Sequence, residues 1–180
     1  MIEPILAIID RLISLAKGRI DDRRGLFTNH LEPLFNDLTA VHLDYRESFG
    51  DTIKLLKDNS VDDQTLKDRL TERQARLLHM RQKIRALISA LDGSPNLPDE
   101  AKTFLTAITW YFIPATGDGR TLYDGGTRFM TLLDALRSLD EDPEVRERVI
   151  DWVSDVLSQT DRTWDRLLDE YAKARLALLK

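Results

Sequence analysis

The chain reads as an all-α protein: a single elongated antiparallel bundle of about five to six helices, three long, two short and one at the N-terminus. Three observations predict this. Apolar residues recur every three or four positions along most of the 180 residues, a spacing that only helical geometry gathers onto one face. Eight glycines and six prolines sit in few places, so long stretches are free of helix breakers. At this length, 42% apolar and 32% charged residues suit one cored domain rather than two. Residues 1–180 are therefore expected to form one domain.

The N-terminal segment opens with Ile2, Ile5, Leu6, Ile8, Ile9, Leu12, Ile13, Leu15 and Ala16. On a helical wheel these cover about half the circumference, where a helix facing one core needs a stripe a little over 100° wide. Glu3 precedes the apolar run and Asp10-Arg11 interrupts it, which argues against a secretory signal. No stretch reaches the roughly 20 apolar residues of a membrane span. The expected location is the cytoplasm.

From 27 to 56, Phe27, Leu31, Leu34, Leu38, Val41, Tyr45, Phe49, Ile53 and Leu56 form a second apolar face. Pro33 conflicts with it, and a proline is best tolerated in a first turn. The helix is therefore expected to begin near Asn29, the alternative being one helix from residue 3 with a proline kink. Ser60 and Asp63 resemble a capping box. A helix over 61–92 follows, with a heptad seam of Leu66, Leu70, Arg73, Leu77, Met80, Ile84, Leu87 and Leu91. Two helices of about 45 Å with a short polar connection predict an antiparallel hairpin.

Gly93, Pro95 and Pro98 end that helix and begin a short apolar one over 98–113, which Pro114 stops. The segment 114–126 carries four of the eight glycines, and a fifth helix is expected over 127–139. Asp142 then reads as an N-cap, with Pro143 in first position. The last helix, about 36 residues, shows one face through Val149, Trp152, Val156, Trp164, Leu167, Tyr171, Ala174 and Leu178. A second flank carries Ile150, Leu157, Leu168, Leu176 and Leu179. Asp169 and Lys173 stand four apart with the acid first, the favourable order for a helix ion pair.

Chemistry is scarce. Zero cysteines exclude disulfides, a thiol nucleophile and cysteine-ligated metals. His30, His42 and His79 lack the spacings of zinc or di-iron helices. They read as partly exposed bundle histidines, and no metal or cofactor is expected. Asp21-Asp22 lacks the further acidic partner of a magnesium motif, since Gly25 stands in its place. The segment around Gly117 and Gly119 has neither the lysine nor the preceding strand of a phosphate-binding loop. These absences lean against an enzyme.

Three features exceed a plain bundle. The loop groups Gly117, Asp118, Gly119, Arg120, Thr121, Tyr123 and Asp124; such loops on helical frames often bind ligands. Arg73 is the one charged residue on the 66–91 seam, a position where a polar group sets register. The third is surplus apolar surface on the terminal helices, carried by Ile5, Ile8, Ile9, Leu12, Leu15, Leu157, Leu168, Leu176 and Leu179. Apolar area left over after a core has formed marks a partner surface.

The leading expectation is a non-enzymatic bundle that associates with itself or with another protein. The alternative is a regulatory bundle binding a small anionic ligand, such as phosphate, at 114–126. A weaker one is nucleic-acid association through 61–92, where basic side chains outnumber acidic ones. The net charge of −5 disfavours that reading.

Overall fold

A computed structural model of the chain describes residues 2–18, 22–58, 82–112 and 143–180. Among these it is an all-α bundle with no strand. Helix α1 spans Ile2–Lys17; α2, Arg23–Leu26, leads through a π-helical turn, Phe27–Leu31, into α3, Glu32–Asp58. Residues 82–92 form α4, Asp99–Phe112 form α5, and Pro143–Leu178 form α6. The Ser60–Asp63 box, the seam from Leu66 to Met80 with Arg73 and His79, the loop 114–126, the helix expected at 127–139 and the cap at Asp142 lie outside the described residues.

The second helical run begins earlier than its proline suggests. Asp22 is extended (φ −152°, ψ 162°) and its carboxylate accepts the N–H of Gly25, the N-cap geometry that satisfies an orphan donor. The helix therefore starts at Arg23 rather than near Asn29. It does not continue α1 as one kinked helix, because Asp22 breaks the helical backbone between them. Pro33 ends up inside the run. It has no N–H to donate and its ring crowds the carbonyl of Asn29. The chain widens into a π turn just before it, with the N–H of Glu32 bonding the carbonyl of Phe27 five residues back. One extra residue per turn absorbs the proline without ending the helix.

Packing partners establish the directions. Phe27 and Phe35 meet Tyr171, Phe35 and His42 meet Trp164, and the Arg146 guanidinium donates to the Leu56 carbonyl at 3.1 Å. Rising numbers in α3 thus pair with falling numbers in α6, so the two helices are antiparallel. The Arg146 bond also satisfies a carbonyl in the last turn of α3, where no helical donor remains. Helix α5 crosses α6 in the same sense, Phe104 meeting Tyr171 and Tyr111 meeting Trp164. Helix α1 packs on α3, tied by an Arg11–Asp37 ion pair.

The core is one cluster that these helices share. Leu38, Leu105, Ile108 and Val153 are at most 1% exposed, with Ile84, Ile88 and Leu91 of α4 also buried. Seven of the fourteen α5 residues are buried, in keeping with its dense apolar sequence. Burying each such aliphatic side chain contributes about 1.5–3 kcal/mol. Gly93 follows α4 directly in a turn closed by the Ser94 N–H on the Leu91 carbonyl.

Candidate functional site

Helix α6 has two faces with different fates. Its inner face lies on an aromatic ledge. Tyr171 stacks on Phe35 with ring centroids 3.8 Å apart and planes 8° off parallel, and Trp164 stacks on His42 at 4.3 Å and 6°. Phe27 and Phe104 each lie 5.6 Å from Tyr171. Such pairs add about 0.5–1.5 kcal/mol beyond their buried area, so the ledge fixes the rotation of α6 about its axis. Burial pushes the Tyr171 phenol above its usual range, helped by the nearby Glu32 carboxylate.

His42 sits where α3, α5 and α6 meet. It is buried, not partly exposed, because it continues the Leu38–Tyr45 seam at helical spacing. Its Nδ1 lies 3.1 Å from the Tyr111 hydroxyl, and its Nε2 lies 3.6 Å from Asp161 Oδ1. The Nδ1–Tyr111 contact is within hydrogen-bond distance, its direction following the ring tautomer, whereas the Nε2–Asp161 separation is that of an ion pair when the ring is protonated. Arg46 Nε stands 3.5 Å from the same Asp161 oxygen. Burial holds the imidazole below its ordinary pKa, against the opposing pull of Asp161. The cluster joins three helices and borders neither of the clefts described next.

One cleft, of about 370 Å³, is lined by Ala7, Asp10, Arg11 and Ser14 of α1 and by Asn29 and His30 of the π turn. Arg11 is already engaged by Asp37, and burial lowers the His30 pKa, so the cleft holds little free positive charge for an anion. A second, of about 240 Å³, lies between α4 and α5, with Ser89, Thr106, Thr109 and Trp110 on its walls. Among the described residues no group of three or more His, Asp or Glu side chains could hold a metal, and no helix is long and apolar enough to cross a membrane.

The outer face of α6 carries the feature that the core leaves over. Leu168, Leu176 and Leu179 are 38%, 64% and 40% exposed, and Ala172 between them is also exposed. Their spacings of four, four and three keep them within about 80° of arc and along about 16 Å of helix. Buried Leu167, Ala174 and Leu178 lie to one side of this stripe, and buried Trp164 lies one turn before Leu168 at its edge. Exposed charges share its sector, Asp165 and Asp169 toward the N-terminal end, Arg175 and Lys180 toward the C-terminal end. Lys173 is held by Glu170, Nζ to Oε1 at 2.7 Å, rather than by the expected Asp169; both lie within one turn, and the longer glutamate side chain reaches it.

The residues expected at a partner surface thus separate. Ile5, Ile8, Ile9, Leu12 and Leu15 are at most 4% exposed and belong to the chain's own core. The α1 part of the expectation is corrected: these side chains belong to the common core, and α3 packs against α1. Leu157 is partly buried against the same core. Leu168, Leu176 and Leu179 alone remain outward. Leu6 and Leu43, 45% and 58% exposed, stand on α1 and α3 as scattered apolar residues, as is normal for a protein surface. The expected ligand loop Gly117–Asp124 and Arg73 lie outside the described residues. Sequence reasoning missed the His42–Tyr111–Asp161 cluster, although its spacing from Leu38 and Tyr45 was a usable signal. No protein-family model, no curated protein and no solved structure matches this chain.

Proposed function

We propose that this protein works by protein–protein association, with the outer face of α6 as the contact. The exposed Leu168–Ala172–Leu176–Leu179 stripe carries the reading. The aromatic ledge anchors the helix along the neighbouring face, so the exposed leucines are surplus to holding it in place. Leucines centred between flanking charges have the apolar-core and polar-rim composition of an interface. A single helix laid along the stripe would cover its roughly 16 Å.

The test places a photo-cross-linking residue at position 176 and illuminates cells making the protein. A discrete adduct that disappears when Leu168→Glu is added supports the reading. No adduct, together with a constant 20.7 kDa solution mass at all concentrations, overturns it.

A further inference from the structure

We infer that the cleft between α4 and α5 binds a single neutral sugar ring, held by hydroxyl-bearing walls against an indole. This site is independent of the α6 contact. Helical spacing puts its lining on two stripes. Arg85, Ser89 and Asp92 stand four and three residues apart on α4, and Thr106, Thr109 and Trp110 fall within four residues on α5, so each set shares one helix face.

Several polar groups on those faces are not used by the fold. In a helix, a serine or threonine hydroxyl can donate to the carbonyl one turn back, as Thr39, Thr103, Ser154 and Thr160 do here. Among the described residues Ser89, Thr106 and Thr109 make no such bond. Hydroxyls on both walls therefore keep a donor and acceptor sites for a ligand. Trp110 is half-buried beside them. Trp164 stacks on His42 and Phe35, whereas among the described residues Trp110 has no ring partner and its indole N–H has no acceptor. A tryptophan in that state offers a ligand one apolar face and one polar tip.

The lining selects the class of ligand. One carboxylate, Asp92, and one guanidinium, Arg85, leave the walls without net charge, which suits a neutral molecule. The volume of about 240 Å³ equals roughly eight waters at about 30 Å³ each, room for one six-membered ring with its substituents. A pyranose presents C–H groups on a face that can lie on the indole and hydroxyls around its edge that reach both walls. Neighbouring hydroxyls can donate to the two oxygens of Asp92, and such bonds to an ionised acceptor are stronger than neutral ones. A flat heterocycle matches the indole but carries fewer hydrogen-bonding groups than the cleft offers.

The test is two-dimensional NMR of the full, nitrogen-labelled chain, titrated with the methyl pyranosides of glucose, galactose and mannose. The chain has three tryptophans, and Trp110→Phe assigns one indole N–H resonance by deleting it. At least one glycoside, at millimolar concentration, should shift the Trp110 resonance saturably and leave that of Trp164, in the aromatic ledge, in place. Asp92→Asn, at an exposed position, and Thr109→Val, which keeps the side-chain shape, should each weaken binding about tenfold. An unmoved Trp164 resonance shows that each variant folds. No saturable shift with any glycoside overturns the inference. A shift that both variants leave undiminished also overturns it, because the sugar then sits elsewhere. Adenine shifting the Trp110 resonance where the glycosides fail overturns the sugar as the ligand class.

Discussion

The joint between α3, α5 and α6 makes a sharp prediction about Tyr111. Its hydroxyl lies 3.1 Å from His42 Nδ1, with both residues 5% exposed. Tyr111→Phe removes that hydroxyl and leaves His42 Nδ1 without this partner. His42→Phe keeps a flat ring for Trp164 to stack on, 4.3 Å away in the native structure, and deprives the tyrosine of this partner. A buried polar atom that loses its partner costs about 1–3 kcal/mol, whereas replacing both partners by apolar groups of similar shape is close to neutral. Each single variant should therefore cost about 1–2 kcal/mol. At a urea slope of about 2 kcal/mol/M, the midpoint falls by about 0.5–1 M. The double variant should cost less than the two singles added, with a coupling of about 1 kcal/mol or more. The assay is urea unfolding followed by tryptophan fluorescence and circular dichroism, at one fixed protein concentration because association shifts apparent stability. Strictly additive single effects would refute the bond as a stabilising element.

Acid should weaken the fold between pH 7.5 and 5.5. Burial holds His30 and His42 below the ordinary 6.5, so the unfolded chain takes up protons first as the pH falls. Stability is complete above that value and is lost as pH drops toward the folded-state values, with a ceiling near 1.4 kcal/mol per pH unit for His42. His42→Phe should flatten the slope, and a wild-type urea midpoint that stays level on acidification contradicts the sign. Ile8→Ala, at a position 0% exposed, should cost about 2–5 kcal/mol of stability and leave the solution mass unchanged; a lowered mass with an unaltered urea midpoint would return the α1 face to the surface. Leu176→Glu, at a position 64% exposed, should behave oppositely, changing the stability of the dilute protein by no more than about 0.5 kcal/mol while weakening any association that light scattering records above 20.7 kDa. Arg146→Met, which loses the bond to the Leu56 carbonyl, should cost about 1 kcal/mol and speed amide exchange at the end of α3; protection unchanged there would mean that the bond contributes nothing.

Local signals were legible wherever one helix decides its own fate. The last helix follows from unbroken periodicity after Pro143, and the structure has it as Pro143–Leu178. The short helix expected over 98–113 is Asp99–Phe112, bounded by prolines at either end of its apolar run. Pro33 misled for a physical reason. A proline is judged against an ideal α-helix, and a π turn relieves its clash without ending the helix. His42 misled because a histidine carries no mark of burial. Its partners Tyr111 and Asp161 are 69 and 119 residues away in the chain, and only packing brings them to it.

Apolar faces divide along the same line. The residues alone determined that α1 and α6 carry more apolar surface than a single contact covers, because hydrophobicity and helical period are properties of the chain. Which of those faces is left over is a property of the neighbours. Ile5, Ile8, Ile9, Leu12 and Leu15 found cover within the chain, while Leu168, Leu176 and Leu179 did not. A periodic pattern specifies a face by its angle about the helix axis, but burial depends on what the rest of the chain places against that angle, and only the tertiary structure decided this.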